Sequence, residues 1–129
     1  MRRSNMACLA GGMAMVFAAA SSALAAGEPF VLGDPVAGKT AYQACMGCHA
    51  IDDNDVGPKH RGVVGRPAAS VPGYSYSAAL KASRIVWTPV IIDRWLQGPQ
   101  KLVPGSKMFF SIPNPKQRAD IIAYLATQK

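Results

Sequence analysis

Cysteine is scarce in this chain, with three in all, and Cys8 lies in the leading apolar segment. Histidine is scarcer still, with two. A disulfide framework needs paired cysteines to spare, and a structural zinc site needs four ligands. Counting excludes both, because outside one five-residue cluster the chain offers only His60 and Cys8. Acidic side chains are also few, 7 against 14 lysines and arginines, giving a net charge of +7. The basic residues are scattered singly, without the run or stripe a nucleic-acid partner would want. They suit an acidic protein surface, or peripheral contact with an anionic membrane face. No internal repeat, low-complexity linker or second domain is apparent.

The first 25 residues read as a secretory signal peptide. Arg2 and Arg3 form a basic start, Met6 to Ala20 an apolar core, and Ala23-Leu24-Ala25 a small-residue cleavage site. The apolar stretch is too short and wrongly flanked to stay in a membrane, so an exported, periplasmic protein beginning at Ala26 is expected. Residues 26–129 then form a single domain of 104 residues, with twelve basic and seven acidic side chains and a balance of +5. A domain this small has a modest core of its own and gains from a large apolar group to fold around.

Cys45-Met46-Gly47-Cys48-His49 supplies the reason to expect such a group. Cys-x-x-Cys-His is the attachment run of a c-type haem: the two thiols become thioethers and the adjacent histidine is held against the iron. A thioredoxin-like dithiol would want a strand before Cys45, where the pattern is helical. The opposite axial position decides whether the iron carries electrons or binds substrates. Met46 lies inside the attachment loop, so Met108 is the one remaining methionine beyond the signal segment, with His60 and the lysines as rivals. Met108 sits in Val103-Pro104-Gly105-Ser106-Lys107-Met108-Phe109-Phe110, a turn flanked by bulky apolar side chains.

The remaining pattern is all-α. Asp34-Pro35, Thr88-Pro89 and Asn114-Pro115 each place a capping residue before a proline at the first helical position. The spacing predicts a helix from Pro35 into the haem motif, a second from Pro89 to the stop at Gly98-Pro99, and a third from Asn114 with Ile121, Ile122 and Leu125 on one face. Ser75 to Ala82 is expected to form a turn or two. The long Gly- and Pro-rich stretch between the first two helices makes sense only if it wraps a cofactor.

In the order of these pieces the chain resembles the class I cytochromes c: Cys45 to His49, Gly57-Pro58, Gly65-Arg66, Pro72 to Tyr76, Trp87, Pro104 to Met108, then a closing amphipathic helix. The resemblance implies that fold, with three to five helices and long loops around one covalent haem c. It also implies that Pro58 offers its carbonyl to His49, that Arg66, Tyr76 and Trp87 lie near the propionates, and that Gly38 marks a crossing of the first and last helices near Tyr124. Trp95 stands where many members carry tyrosine, keeping a donor for the methionine sulfur but placing it differently. The segment Ala50 to Val56 is shorter than in mitochondrial members, and His60 replaces an apolar haem contact and is expected to be a partly exposed polar residue. The implied function is that of a monomeric periplasmic one-electron carrier, not an enzyme. Lys39, Lys59, Lys101 and Lys107 would orient an acidic partner such as a cytochrome bc complex, an oxidase, a photosynthetic reaction centre or a dehydrogenase. The rival is a haem enzyme or gas sensor with a labile sixth ligand.

Overall fold

The computed structural model describes residues 30–129; the signal peptide expected over residues 1–25 and the domain start at Ala26 lie outside them. Five helices are present among the described residues: α1 (Pro35–Ala41), α2 (Ala78–Ser83), α3 (Pro89–Gln97), α4 (Pro99–Leu102) and α5 (Pro115–Thr127), with a 3-10 segment at Tyr42–Cys45. All three cap-and-proline starts are used. Asp34 accepts the N–H of Val36 at 2.8 Å, Thr88 that of Ile91 at 3.3 Å and Asn114 that of Gln117 at 3.1 Å. Each cap satisfies an orphan first-turn donor, and each proline removes another.

The first helix does not run unbroken into the haem motif. It tightens after Ala41 into the 3-10 segment, a common way for a helix to end. The chain then turns so that the Cys45 carbonyl accepts the N–H groups of both Cys48 (3.1 Å) and His49 (2.9 Å). Both thiols and the imidazole therefore leave one compact turn. Residues 46–77 contain no helix, but the segment is not free of pairing. Gly65 and Trp87 are joined by N–H···O at 2.9 Å, as are Trp87 and Arg66, around an isolated antiparallel bridge at Pro67 and Val86.

The α1 and α5 backbones meet at Gly38, where a Cβ would collide with the Asp120 carbonyl and come within 2.9 Å of the Tyr124 Cβ. Ile121 and Ile122 are wholly buried beneath this crossing, with Leu125, Ile92, Leu96 and Tyr42 around them. Burial of each isoleucine contributes about 1.5–3 kcal/mol. Two charged side chains enter the same core fully partnered. Arg118 pairs with Asp93 at 2.7 Å and donates to the carbonyls of Ile112 (2.9 Å) and Pro113 (2.8 Å), fastening α5 to α3 and to the segment after Met108. Asp120 accepts the N–H of Asp34 at 2.8 Å and the ammonium of Lys116 at 2.6 Å.

Candidate functional site

A cavity of about 450 Å³ opens between the Cys45–His49 turn, the 57–66 loop, α3 and the segment around Met108. Cys45, Cys48, His49, Pro58, Arg66, Tyr76, Trp87, Trp95 and Met108 all line it, so the structure brings together every site residue the sequence singled out. Leu80, Ile92, Leu96, Ile121 and Leu125 make the rest of its wall mostly apolar. Cys48, Val56, Phe109 and Phe110 are exposed at its rim. Of the four lysines expected near the rim, Lys107 alone lines the cavity, its ammonium 2.6 Å from the Ser75 carbonyl.

His49 is held in one orientation by its neighbours. Its Nδ1 lies 2.8 Å from the Pro58 carbonyl, which can only accept, so Nδ1 carries the proton. Burial pulls the imidazole pKa down against the smaller opposing effects of that bond and of Asp55, and the neutral ring presents a bare Nε2. The Gly57 backbone presses on the same ring: a Cβ there would collide with Cε1 and both nitrogens. His60 is half-buried, as expected, but it is more than a surface group. Its ring stacks on His49 with centroids 4.0 Å apart and planes 19° apart, and its Nδ1 meets the Tyr42 hydroxyl at 2.9 Å. Burial, then the nearby His49 and Arg66, push its pKa down to about 3, while burial above all raises that of the Tyr42 phenol. A neutral imidazole therefore accepts from a phenol that keeps its proton. Burial, then Cys48 beside it, push the Cys45 thiol up to about 11, and both thiols are free.

The indole of Trp95 answers the question its substitution raised: Nε1–H donates to the Met108 sulfur at 3.1 Å. Trp87 meets the Trp95 ring edge-on at 5.1 Å and fixes its tilt. Arg66 gives two N–H groups to the carbonyls of Arg61 (2.7 Å) and Lys59 (2.9 Å), closing the loop that carries Pro58 and His60. The Tyr76 hydroxyl accepts the N–H of Val71 at 3.2 Å and keeps its own proton to donate. Sequence reasoning missed Tyr42, which supports His60, and Gln100, whose side chain holds the backbone before Met108. Nothing in the composition around Gln100 marks it.

The family model described as "Cytochrome c" matches residues 35–129. The chain belongs to the cytochrome c family. Among relatives of this class I cytochrome c, a cytochrome c2 of Rhodopila globiformis is 50% identical over 101 residues, covering 75% of this chain and 95% of its own. A cytochrome c2 of Rhodomicrobium vannielii is 43% identical over 103 residues, covering 77% and 82%. Among solved structures, cytochrome cH from Methylobacterium extorquens matches with TM-score 0.71 and 46% identity over 74% of this chain and 99% of that one.

The cavity of this cytochrome c suits the family's cofactor. Its volume lies in the range of small-molecule sites, its wall is apolar, and it presents two free thiols, a bare imidazole nitrogen and a thioether. The cofactor is haem c, tethered through Cys45 and Cys48, and the protein is an electron carrier.

Proposed function

We propose that the protein is an exported one-electron shuttle in which His49 and Met108 would both hold the haem iron, leaving no position for a substrate. Bound haem supplies the Fe(II)/Fe(III) couple. The chain supplies two preoriented ligands, and the observation that carries the reading is that each is steered by its own hydrogen bond: His49 by the Pro58 carbonyl and Met108 by the Trp95 indole. A soft thioether favours the ferrous state, and apolar walls disfavour the extra ferric charge. His60 is a poor competitor. Its ring is stacked on that of His49 and its Nδ1 is engaged by Tyr42, so reaching across the cavity would cost both contacts.

Export with cleavage after Ala25 accounts for the basic, apolar and small-residue order of the first 25 residues. Among the described residues no helix is long and apolar enough to cross a membrane. Arg66, Tyr76 and Trp87 line the cavity. The hydroxyl proton that Tyr76 keeps and the Trp87 indole N–H would donate to the propionates, while Arg66, whose terminal nitrogens already donate to the Arg61 and Lys59 carbonyls, would add its positive charge. The basic balance and Lys107 at the rim favour an acidic redox partner.

Two measurements test this reading. The ferric protein should show the weak absorption band of methionine ligation near the red end, lost in Met108→Ala with a marked fall in potential and kept in His60→Ala; the reverse pattern would mean bis-histidine ligation. Intact mass of protein from the native host should begin at Ala26 and include one haem, whereas retention of Met1 to Ala25 would rule out cleavage.

A further inference from the structure

Among the described residues, the Gln100 side chain makes more polar contacts to the Gly105–Met108 segment than any other side chain does. Its amide nitrogen lies 2.8 Å from the Ser106 carbonyl, 2.9 Å from the Ser106 hydroxyl and 2.8 Å from the carbonyl of Met108 itself. Its amide oxygen accepts the N–H of Gly105 at 3.1 Å. The orientation is unambiguous, since a flipped amide would aim its oxygen at two carbonyls and its nitrogen at an N–H. The amide thus spans Gly105, Ser106 and Met108 at once, from the short helix α4. Ser106 is 3% exposed, so these groups have little access to water as an alternative partner.

Around this contact the chain has few other holds on Met108. Gly105 adopts φ +87°, a conformation that needs no side chain and offers no packing. Phe109 and Phe110 are exposed, so the residues that follow the methionine do not pin it in the core. Downstream, the next firm anchors are the Ile112 N–H bonded to the Leu96 carbonyl at 2.7 Å and the Arg118 contacts to Ile112 and Pro113. Upstream, Val103 is buried. Among the described residues, the Gln100 amide, the Trp95 contact to the sulfur and the Lys107 contact to Ser75 are the side-chain bonds between Val103 and Ile112 that resist lifting Met108 away.

We propose that Gln100 is a positioning residue for the sixth ligand, a latch whose amide closes the Gly105–Met108 segment and sets how often Met108 leaves the iron. The inference rests on Met108 being that ligand. Gln100 does not touch the sulfur and does not line the cavity; it acts through the Met108 carbonyl. A carrier needs its sixth position closed to small ligands, and here one neutral side chain from outside the haem contacts governs that closure. Glutamine suits the task because it donates and accepts at opposite ends of one planar group. Glutamate could only accept, and would set a negative charge against two carbonyls.

The test uses the ferric holoprotein mixed with imidazole, whose binding rate at saturation equals the rate at which Met108 departs. Gln100→Leu, which removes every polar contact of the amide, should raise that limiting rate roughly tenfold or more, with covalent haem and the starting methionine band retained. Gln100→Glu should raise it at least as much. Gly38→Ala, which loosens the α1–α5 crossing by pressing on Asp120 and Tyr124 and on no atom of the Gly105–Met108 segment, should lower thermal stability yet leave the limiting rate within about twofold, separating a latch from general destabilisation. If Gln100→Leu misfolds, Gln100→Asn, one methylene too short to span both ends, should show the same acceleration. Limiting rates within about twofold of wild type in all Gln100 variants would overturn the proposal while the methionine band stood. Loss of the band's dependence on Met108 would instead overturn the ligand assignment beneath it.

Discussion

Gly57 shows at the scale of one residue how this site is built. The dipeptide Gly57-Pro58 was recognisable in the sequence as a family marker, but the reason for glycine is spatial: the His49 ring occupies the place a Cβ would take. The proline carbonyl then holds the ring that the glycine lets approach. Gly57→Ala should therefore cost about 1–3 kcal/mol of stability by overpacking, read in denaturant unfolding of the ferric holoprotein; an unchanged midpoint would show that the ring has room to move. His60 was legible as a polar residue in an apolar position, and its partial exposure was expected. Its stack on His49 and its bond to Tyr42 were not, because they depend on a loop folding back by some eighteen positions onto the 3-10 segment, and no periodicity encodes that.

Helix starts were the most legible elements, because an N-cap and a first-turn proline are local chemistry written in adjacent residues. The end of α1 was less so: the switch to 3-10 geometry at Tyr42 serves the turn that gathers Cys45, Cys48 and His49, a tertiary requirement. The same limit hid the bridge at Pro67 and Val86, which pairs two segments with no strand-like alternation. Between elements, Asp120 on α5 holds the entry to α1 through the Asp34 N–H. The Lys116 ammonium first, and then that N–H, hold the Asp120 carboxyl below its ordinary value of 3.8. On acidification the unfolded chain takes up the proton first, so this contribution to stability is complete above pH 3.8 and is lost as pH falls through the lower folded value. Thermal melts taken from about pH 5 down to about pH 2 should flatten in Asp120→Asn, leaving the part owed to other depressed carboxyls such as Asp52. An acid limb identical to wild type would assign the stabilisation elsewhere.

At the scale of the described domain, the helices and loops enclose the cavity that Cys45, Cys48, His49 and Met108 line, and the proposed function rests on how completely that cavity is furnished with groups that could hold a haem. The sequence revealed the attachment cluster and the order of the motifs; it could not reveal that Trp95 reaches the methionine sulfur or that Gln100 ties down the loop, since both depend on how α3 and α4 meet the Met108 segment. Those two contacts bear directly on the choice between an electron carrier and a haem protein that binds small molecules. A carrier keeps both axial positions filled in the ferrous state, when carbon monoxide would bind most readily. The most direct measurement is therefore the rate of carbon monoxide binding to the reduced holoprotein at neutral pH, beside that of Met108→Ala. The spectrum of the wild-type protein should stay unchanged over the time in which the variant converts fully to its carbon monoxide form, and wild-type binding as fast as the variant's would contradict a closed, six-coordinate carrier.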